Sequence, residues 1–454
     1  MGAGVSLAAG SVAAASSADI ASALSTLSAE EKIKVREALS ADSSLAAAPA
    51  AAPAAAPAAA SAAAPAVAAP AAAAAPAVPE AMAKLLDQRQ TSVKTSAVLS
   101  TWLSQTSEDA VEPELEIVDS HHHLWDMRSL KGFNLFGMFK QQYYMTEEIA
   151  DDFLGGGHKV THSVFVTTHA FFSADAEPAW MAPLGEVQFV QGIAAQFASG
   201  TYGPLRVAAA IIGAADLHKY GADLEPLLVA CKAASPNYRG IRCNAAHDPK
   251  APKASFHPTA GMYMEPKFRE GFALLGKHGL VFDAWLFASQ LDDLIDLAKA
   301  FPETSIVLNH AGTPVAGLGN LPNAAEYDGK QGEILAGWKE RMKRLADECP
   351  NVSVKVGGWA IPQMGHGLTE REKPISSSDL VDLFKEPYLW TIATFGASRC
   401  LFEGNFPVDK CAMSYAVLWN AYKRMTKESG VSDADRAQLF GGTAKRVYRI
   451  GSSS

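Results

Sequence analysis

The sequence predicts an α/β chain whose main body is a (β/α)₈ barrel, preceded by a low-complexity, partly helical extension. Two observations predict it. From residue 111 onward, eight short apolar segments of strand character alternate with stretches of helical periodicity. Polar, chemically able residues then gather at the C-terminal ends of those strand segments, where a barrel of this kind builds its active site. A doubly wound open sheet is the alternative. It is disfavoured because the first strand ends in three histidines rather than a glycine-rich phosphate loop.

Residues 1–44 begin Met1-Gly2-Ala3-Gly4-Val5-Ser6, which fits the pattern for myristoylation of Gly2 and hence weak membrane attachment. Without a basic leading region, a secretory signal is not expected. Ser28 and Glu31 are spaced as a capping box, and Ile20, Leu24, Leu27, Ile33, Val35 and Leu39 suggest two short helices. Residues 45–80 are almost wholly alanine and proline. Frequent proline blocks a continuous helix and favours a semi-rigid spacer, so this segment reads as a linker. Residues 81–110 regain helical spacing through Met82, Leu85, Leu86, Val98, Leu99, Trp102 and Leu103, a lead-in expected to pack outside the barrel.

The strand segments are 115–121, 162–168, 206–213, 239–243, 280–286, 304–310, 351–356 and 400–405, with helical patterns at 223–234, 267–278, 289–300 and 331–348 between them. The first holds an apolar Leu115-Glu116-Ile117-Val118 run and continues Asp119-Ser120-His121-His122-His123. Strand alternation places Asp119, His121 and His123 on one face. Two imidazoles at i and i+2 can chelate one divalent cation or polarise one carbonyl from two directions. Further along come His169, Arg239, Arg242, Asp283, Trp285, His310, Lys355, Glu403, Asn405 and Asp409. Arg239 and Arg242 are three apart, so a regular strand turns only one of them inward.

Bulk properties narrow the function. A net charge of -9 argues against a nucleic-acid surface. Five scattered cysteines with no CxxC spacing fit free thiols in a reducing, cytoplasmic setting. No stretch of about twenty strongly apolar residues predicts a membrane span. A nucleophile elbow of the G-x-S-x-G type and a G-x-G-x-x-G loop after a strand are both lacking, which disfavours serine hydrolases and dinucleotide enzymes.

The chain resembles the amidohydrolase-related superfamily, in the branch holding dicarboxylate and sugar lactonases. The matching pieces are Val118–Asp126, Tyr238–Arg242, Leu308–Gly312, Val354–Gly358, Arg399–Lys410 and Leu439–Tyr448. They cover 111–454 and none of the extension. The resemblance implies a small-molecule hydrolase acting on lactones or other carboxylic esters. Its paired histidines fall on His121 and His123 and its strand-six histidine on His310, the three implied ligands if a Zn or Mn ion is bound. Its strand-eight aspartate, which activates water, falls on Asn405. That is a departure, because an amide cannot accept a proton at neutral pH. Glu403 or Asp409 would then take the base role, and sequence leaves the two open. One arginine of Arg239 and Arg242 would pair with a substrate carboxylate, with Lys355 beside it, and Asp283, Trp125 and His169 would complete the pocket. Two other readings stay open: a metal-dependent decarboxylase of the same superfamily, and a decayed barrel serving as a scaffold.

Overall fold

A computed structural model describes residues 96–128, 141–321, 324–358 and 360–451. The expectations for Gly2, the capping box at Ser28 and the Ala/Pro linker lie outside the described residues. Eight strands form one parallel sheet in sequence order. They are β1 (Glu116–His122), β2 (Lys159–Val166), β3 (Arg206–Ala214), β4 (Tyr238–Asn244), β5 (Val281–Trp285), β6 (Ile306–Leu308), β7 (Val352–Val356) and β8 (Cys400–Phe402). Each is followed by a main helix: α1 (Thr146–Gly155), α2 (Pro183–Ala198), α3 (Glu225–Ala234), α4 (Pro266–His278), α5 (Leu291–Ala300), α6 (Gln331–Glu348), α7 (Ser377–Phe395) and α8 (Tyr415–Glu428). All eight predicted strand segments are strands, and the sheet nearly closes on itself as a barrel.

Strand alternation builds two apolar layers. Val118, Val164, Val166, Ala210, Ile212, Val281, Val307 and Leu401 fill the barrel interior, joined from below by Ala444, Val447, Tyr448 and Ile450 near the chain's end. Ile117, Phe165, Ile211, Ile241, Phe282, Val354 and Phe402 face the helices in the larger outer cluster. Strands buried on both faces need apolar residues at every position, which explains their continuous valine and isoleucine runs. Helix ends are marked locally. The side chains of Ser376 and Ser414 cap α7 and α8 by accepting from Asp379 and Val417 N–H groups, and Gly279 ends α4 at φ 62°.

The seam between β8 and β1 closes just beyond β8. The Asn405 N–H donates to the His121 carbonyl (2.8 Å), the His123 N–H to the Phe406 carbonyl (2.8 Å), and the Gly404 N–H to Asp119 (2.7 Å). The lead-in at 96–110 lies against the start of α7: Leu99 and Leu103 are buried, and Trp102 and Thr106 donate to the carbonyls of Glu372 and Pro374. Among the described residues no helix is long and apolar enough to cross a membrane.

Candidate active site

The shared face expected for Asp119, His121 and His123 is corrected by the structure. The β1–β2 register shifts between Asp119 and His122, a bulge that breaks the two-residue alternation. Asp119 faces outward. Its carboxylate accepts from the Tyr415 hydroxyl (2.9 Å), the His121 N–H (3.0 Å) and the Gly404 N–H. Burial pushes its pKa up to about 7. It braces the seam rather than entering the site, and a Cβ on Gly404 would meet it at 2.3 Å. His121 and His123 turn to the barrel mouth, while His122 packs between Phe153 and Phe165.

At the mouth His121, His123, His310 and Glu403 converge, with exposures of 0, 5, 2 and 0%. Nε2 of His121 lies 3.2 Å from Nε2 of His123, and the His121 and His310 ring centroids are 4.7 Å apart. His310 follows β6 in a left-handed backbone conformation, φ 53°, and its Nδ1 donates to Oε1 of Glu403 at 2.7 Å. Gly358 makes room for that ring: a Cβ there would sit 2.2 Å from His310 Nδ1. His123 donates through Nδ1 to the Val166 carbonyl (2.8 Å), and its ring stacks on Trp125. Burial first, and then the charges of Lys355 and Arg242 respectively, hold the pKa values of His121 and His123 well below the usual histidine range, so both rings are neutral.

Beneath the imidazoles, Lys355 of β7 donates to Oδ2 of Asp283 (2.7 Å) and to Nδ1 of His121 (3.3 Å). Asp283 also accepts from the Tyr448 hydroxyl (2.8 Å) and the Asn309 amide (3.0 Å). At the rim, Arg242 donates to the Thr167 carbonyl and lies over Trp285, 5.3 Å from the ring centroid. Burial lowers its pKa to about 10, which leaves it a cation. Glu186 of α2 accepts from Thr167 and Thr168 behind it.

Several predicted residues lie apart from this cluster or back it without opening into the mouth. Arg239 points away from the mouth: its guanidinium donates to the carbonyls of Tyr448, Pro236 and Arg449, pinning the chain's end under the barrel. Asn405 is held at φ 50°, and its amide donates to Oδ1 of Asp409 rather than facing the histidines. Asp409 lines a small cavity with Phe384, Tyr388, Met413 and Tyr422 of the α7–α8 layer, where burial pushes its pKa well up. Trp125 is buried behind His123, its indole N–H donating to the Gln141 carbonyl (2.7 Å). His169 is exposed and stacks on Phe172. Asp283 and Lys355 are fully buried and spent on each other and on His121, so neither forms an open pocket wall. Sequence reasoning missed the floor contact of Tyr448, although its motif was visible, and the support of Arg242 by Thr167 and Glu186, for which no spacing gave a signal.

His121, His310 and Glu403 place donor atoms within 4.8 Å of one another, a set whose types could hold a metal ion, with Glu403 in the place expected for His123. Oε2 of Glu403, buried and without a hydrogen-bond partner, suits such a role. It lies 2.9 Å from Nδ1 of His121 but off the line of a hydrogen bond. The surroundings do not fit. Metal-bound histidines are ordinarily backed by an acceptor on the other ring nitrogen, and His121 is backed by the Lys355 ammonium.

An uncharacterized protein of Sinorhizobium fredii is 28% identical over 350 residues, spanning 74% of this chain and 99% of that protein. An L-fucono-1,5-lactonase of Burkholderia multivorans is 30% identical over 185 residues, 40% of this chain and 56% of the lactonase. The crystal structure of an amidohydrolase from Burkholderia multivorans, determined with bound Zn, superposes with a TM-score of 0.53 at 24% identity over 74% of this chain and 99% of that one, and so shares the fold. The amidohydrolase family itself matches residues 118–450, from within β1 through the rest of the barrel, and the chain belongs to that family.

Proposed function

We propose that the chain hydrolyses a lactone or another carboxylic ester of a small, anionic substrate by directed attack of water. The observation that carries this reading is the His310–Glu403 pair at the mouth of the barrel. Nδ1 of His310 donates to Glu403, which leaves Nε2 as the base, oriented by a carboxylate. Of the two acids left open by the sequence, Glu403 acts, and it does so through His310. Asn405 and Asp409 are bonded to each other and take no part.

In this reading water attacks the carbonyl carbon as its proton passes to Nε2 of His310. The negative charge developing on the carbonyl oxygen faces the electropositive wall formed by His121 with Lys355 behind it. Collapse of the tetrahedral intermediate breaks the ester C–O bond. The departing alkoxide takes the proton back from His310, giving the hydroxy acid and restoring the base. Arg242 keeps guanidinium nitrogens beyond the one bonded to Thr167, and these pair with a substrate carboxylate. The similarity to an L-fucono-1,5-lactonase supports the reaction class.

The test is a panel of sugar-acid and dicarboxylate lactones assayed with the purified chain in excess chelator. The expected result is turnover of at least one carboxylate-bearing lactone, lost in His310→Asn. A folded protein inert on every lactone would contradict the reading. Carbon dioxide release from an aromatic acid, dependent on added Mn or Zn, would transfer it to the decarboxylase alternative.

A further inference from the structure

The bonds beneath the mouth form a chain in which each proton has one place to be. At one end the Asp283 carboxylate can only accept, and the Lys355 ammonium paired with it at 2.7 Å can only donate. The same ammonium reaches Nδ1 of His121 at 3.3 Å, so that nitrogen must present its lone pair. A neutral imidazole accepting at Nδ1 carries its proton on Nε2. Nε2 of His121 faces Nε2 of His123 at 3.2 Å. At the other end the Val166 carbonyl can only accept, so Nδ1 of His123 donates to it at 2.8 Å and Nε2 of His123 is left to accept. The two ends agree, and the protons run in one direction from Lys355 to Val166. Glu403 does not interrupt the order, since its Oε2 lies off the hydrogen-bonding direction of the His121 ring.

We propose that Lys355 makes the His121–His123 pair a self-bonded pair rather than a metal chelate, by holding His121 as its Nε2-protonated tautomer. A chelate needs lone pairs on both nitrogens that face each other across 3.2 Å, and here one of them carries a proton. The buried ammonium beside the same ring also repels a divalent cation. Lys355 is a positioning residue: it acts through His121 and leaves the choice of substrate to other groups. The inference holds whether or not the chain acts on lactones, because it concerns only what the two histidines can bind.

The experiment uses the full chain, purified without a metal-affinity step, with zinc as the probe in competition with a chromogenic chelator. Wild type is expected to retain no stoichiometric zinc. Lys355→Met is expected to gain about tenfold or more in zinc affinity, on the scale by which groups behind a ligand tune metal binding. The double variant Lys355→Met/Asp283→Asn, which leaves no unpaired charge, keeps an oxygen to accept from Asn309 and turns its new amide N–H toward the Tyr448 hydroxyl, which can accept it, should gain similarly if the single variant folds poorly. Nitrogen-15 histidine spectra of wild type, assigned by comparison with His121→Asn, should show the His121 proton on Nε2. Stoichiometric zinc surviving the chelator in wild type, no gain in a folded variant, or the proton on Nδ1 would each overturn the proposal.

Discussion

The two ends of the barrel both bury charged and polar groups, and they differ in how completely those groups are bonded. At the floor Arg239 gives its donors to backbone carbonyls, and the Tyr448 hydroxyl closes onto Asp283. At the mouth Glu403 keeps one buried oxygen without a partner, and Nε2 of His310 has none of the bonds that tie down its Nδ1. An unmet buried polar group costs roughly 1–3 kcal/mol, so the Glu403 oxygen would gain from a proton donor brought to the mouth. On the proposed function, polar groups hold the fold at one end and serve the chemistry at the other.

Mutations that separate the two ends should fall in a definite order. The largest effect belongs to His310→Asn, which removes the base and should lower kcat/KM on a lactone by about 10²–10⁴-fold with little change in melting temperature. Next is Arg242→Met. Loss of one charge-assisted pair should raise KM for a carboxylate-bearing lactone by about 10–100-fold, with a smaller effect on a neutral lactone. At the floor, Arg239→Met should leave kinetics unchanged and cost about 1–2 kcal/mol of stability, read from a denaturant midpoint.

The smallest effect concerns pH. Burial holds the Asp409 pKa above its unfolded value, so its contribution to stability is fully present below the unfolded value and is lost as pH rises toward the folded one. Asp409→Asn keeps an oxygen to accept from Asn405 and removes the ionisation. Its melting temperature should match wild type near about pH 4 and exceed it near about pH 7. A variant equally or less stable at both would show that the carboxyl is not under this strain.

The barrel was legible because every strand is apolar enough to be buried on both faces and the helical stretches between keep their period. Among the expected residues, the ends of separate strands bring together His121, His123, His310, Arg242, Lys355 and Glu403, with the bulge in β1 and the left-handed turn at His310 needed to aim three of them. Alternation also showed that only one arginine could face inward. It failed where the backbone departs from regularity. The bulge after Asp119 carries no sequence mark, and it converts an expected site carboxylate into a brace for the seam. Asn405 and Asp409 lie beyond β8, where Asn405 sits in the left-handed backbone region at φ 50° and its side chain goes to Asp409 although its backbone stays paired with His121. The setting of Lys355 was equally hidden, since its partners Asp283 and His121 come from strands far apart in the chain.

The most direct measurement compares kcat/KM for a carboxylate-bearing lactone in Glu403→Gln and Arg239→Met, each confirmed as folded. The mouth variant is expected to fall by about 10²-fold or more while the floor variant stays within about twofold of wild type. Equal effects of the two changes, or a Glu403→Gln enzyme as active as wild type, would contradict it.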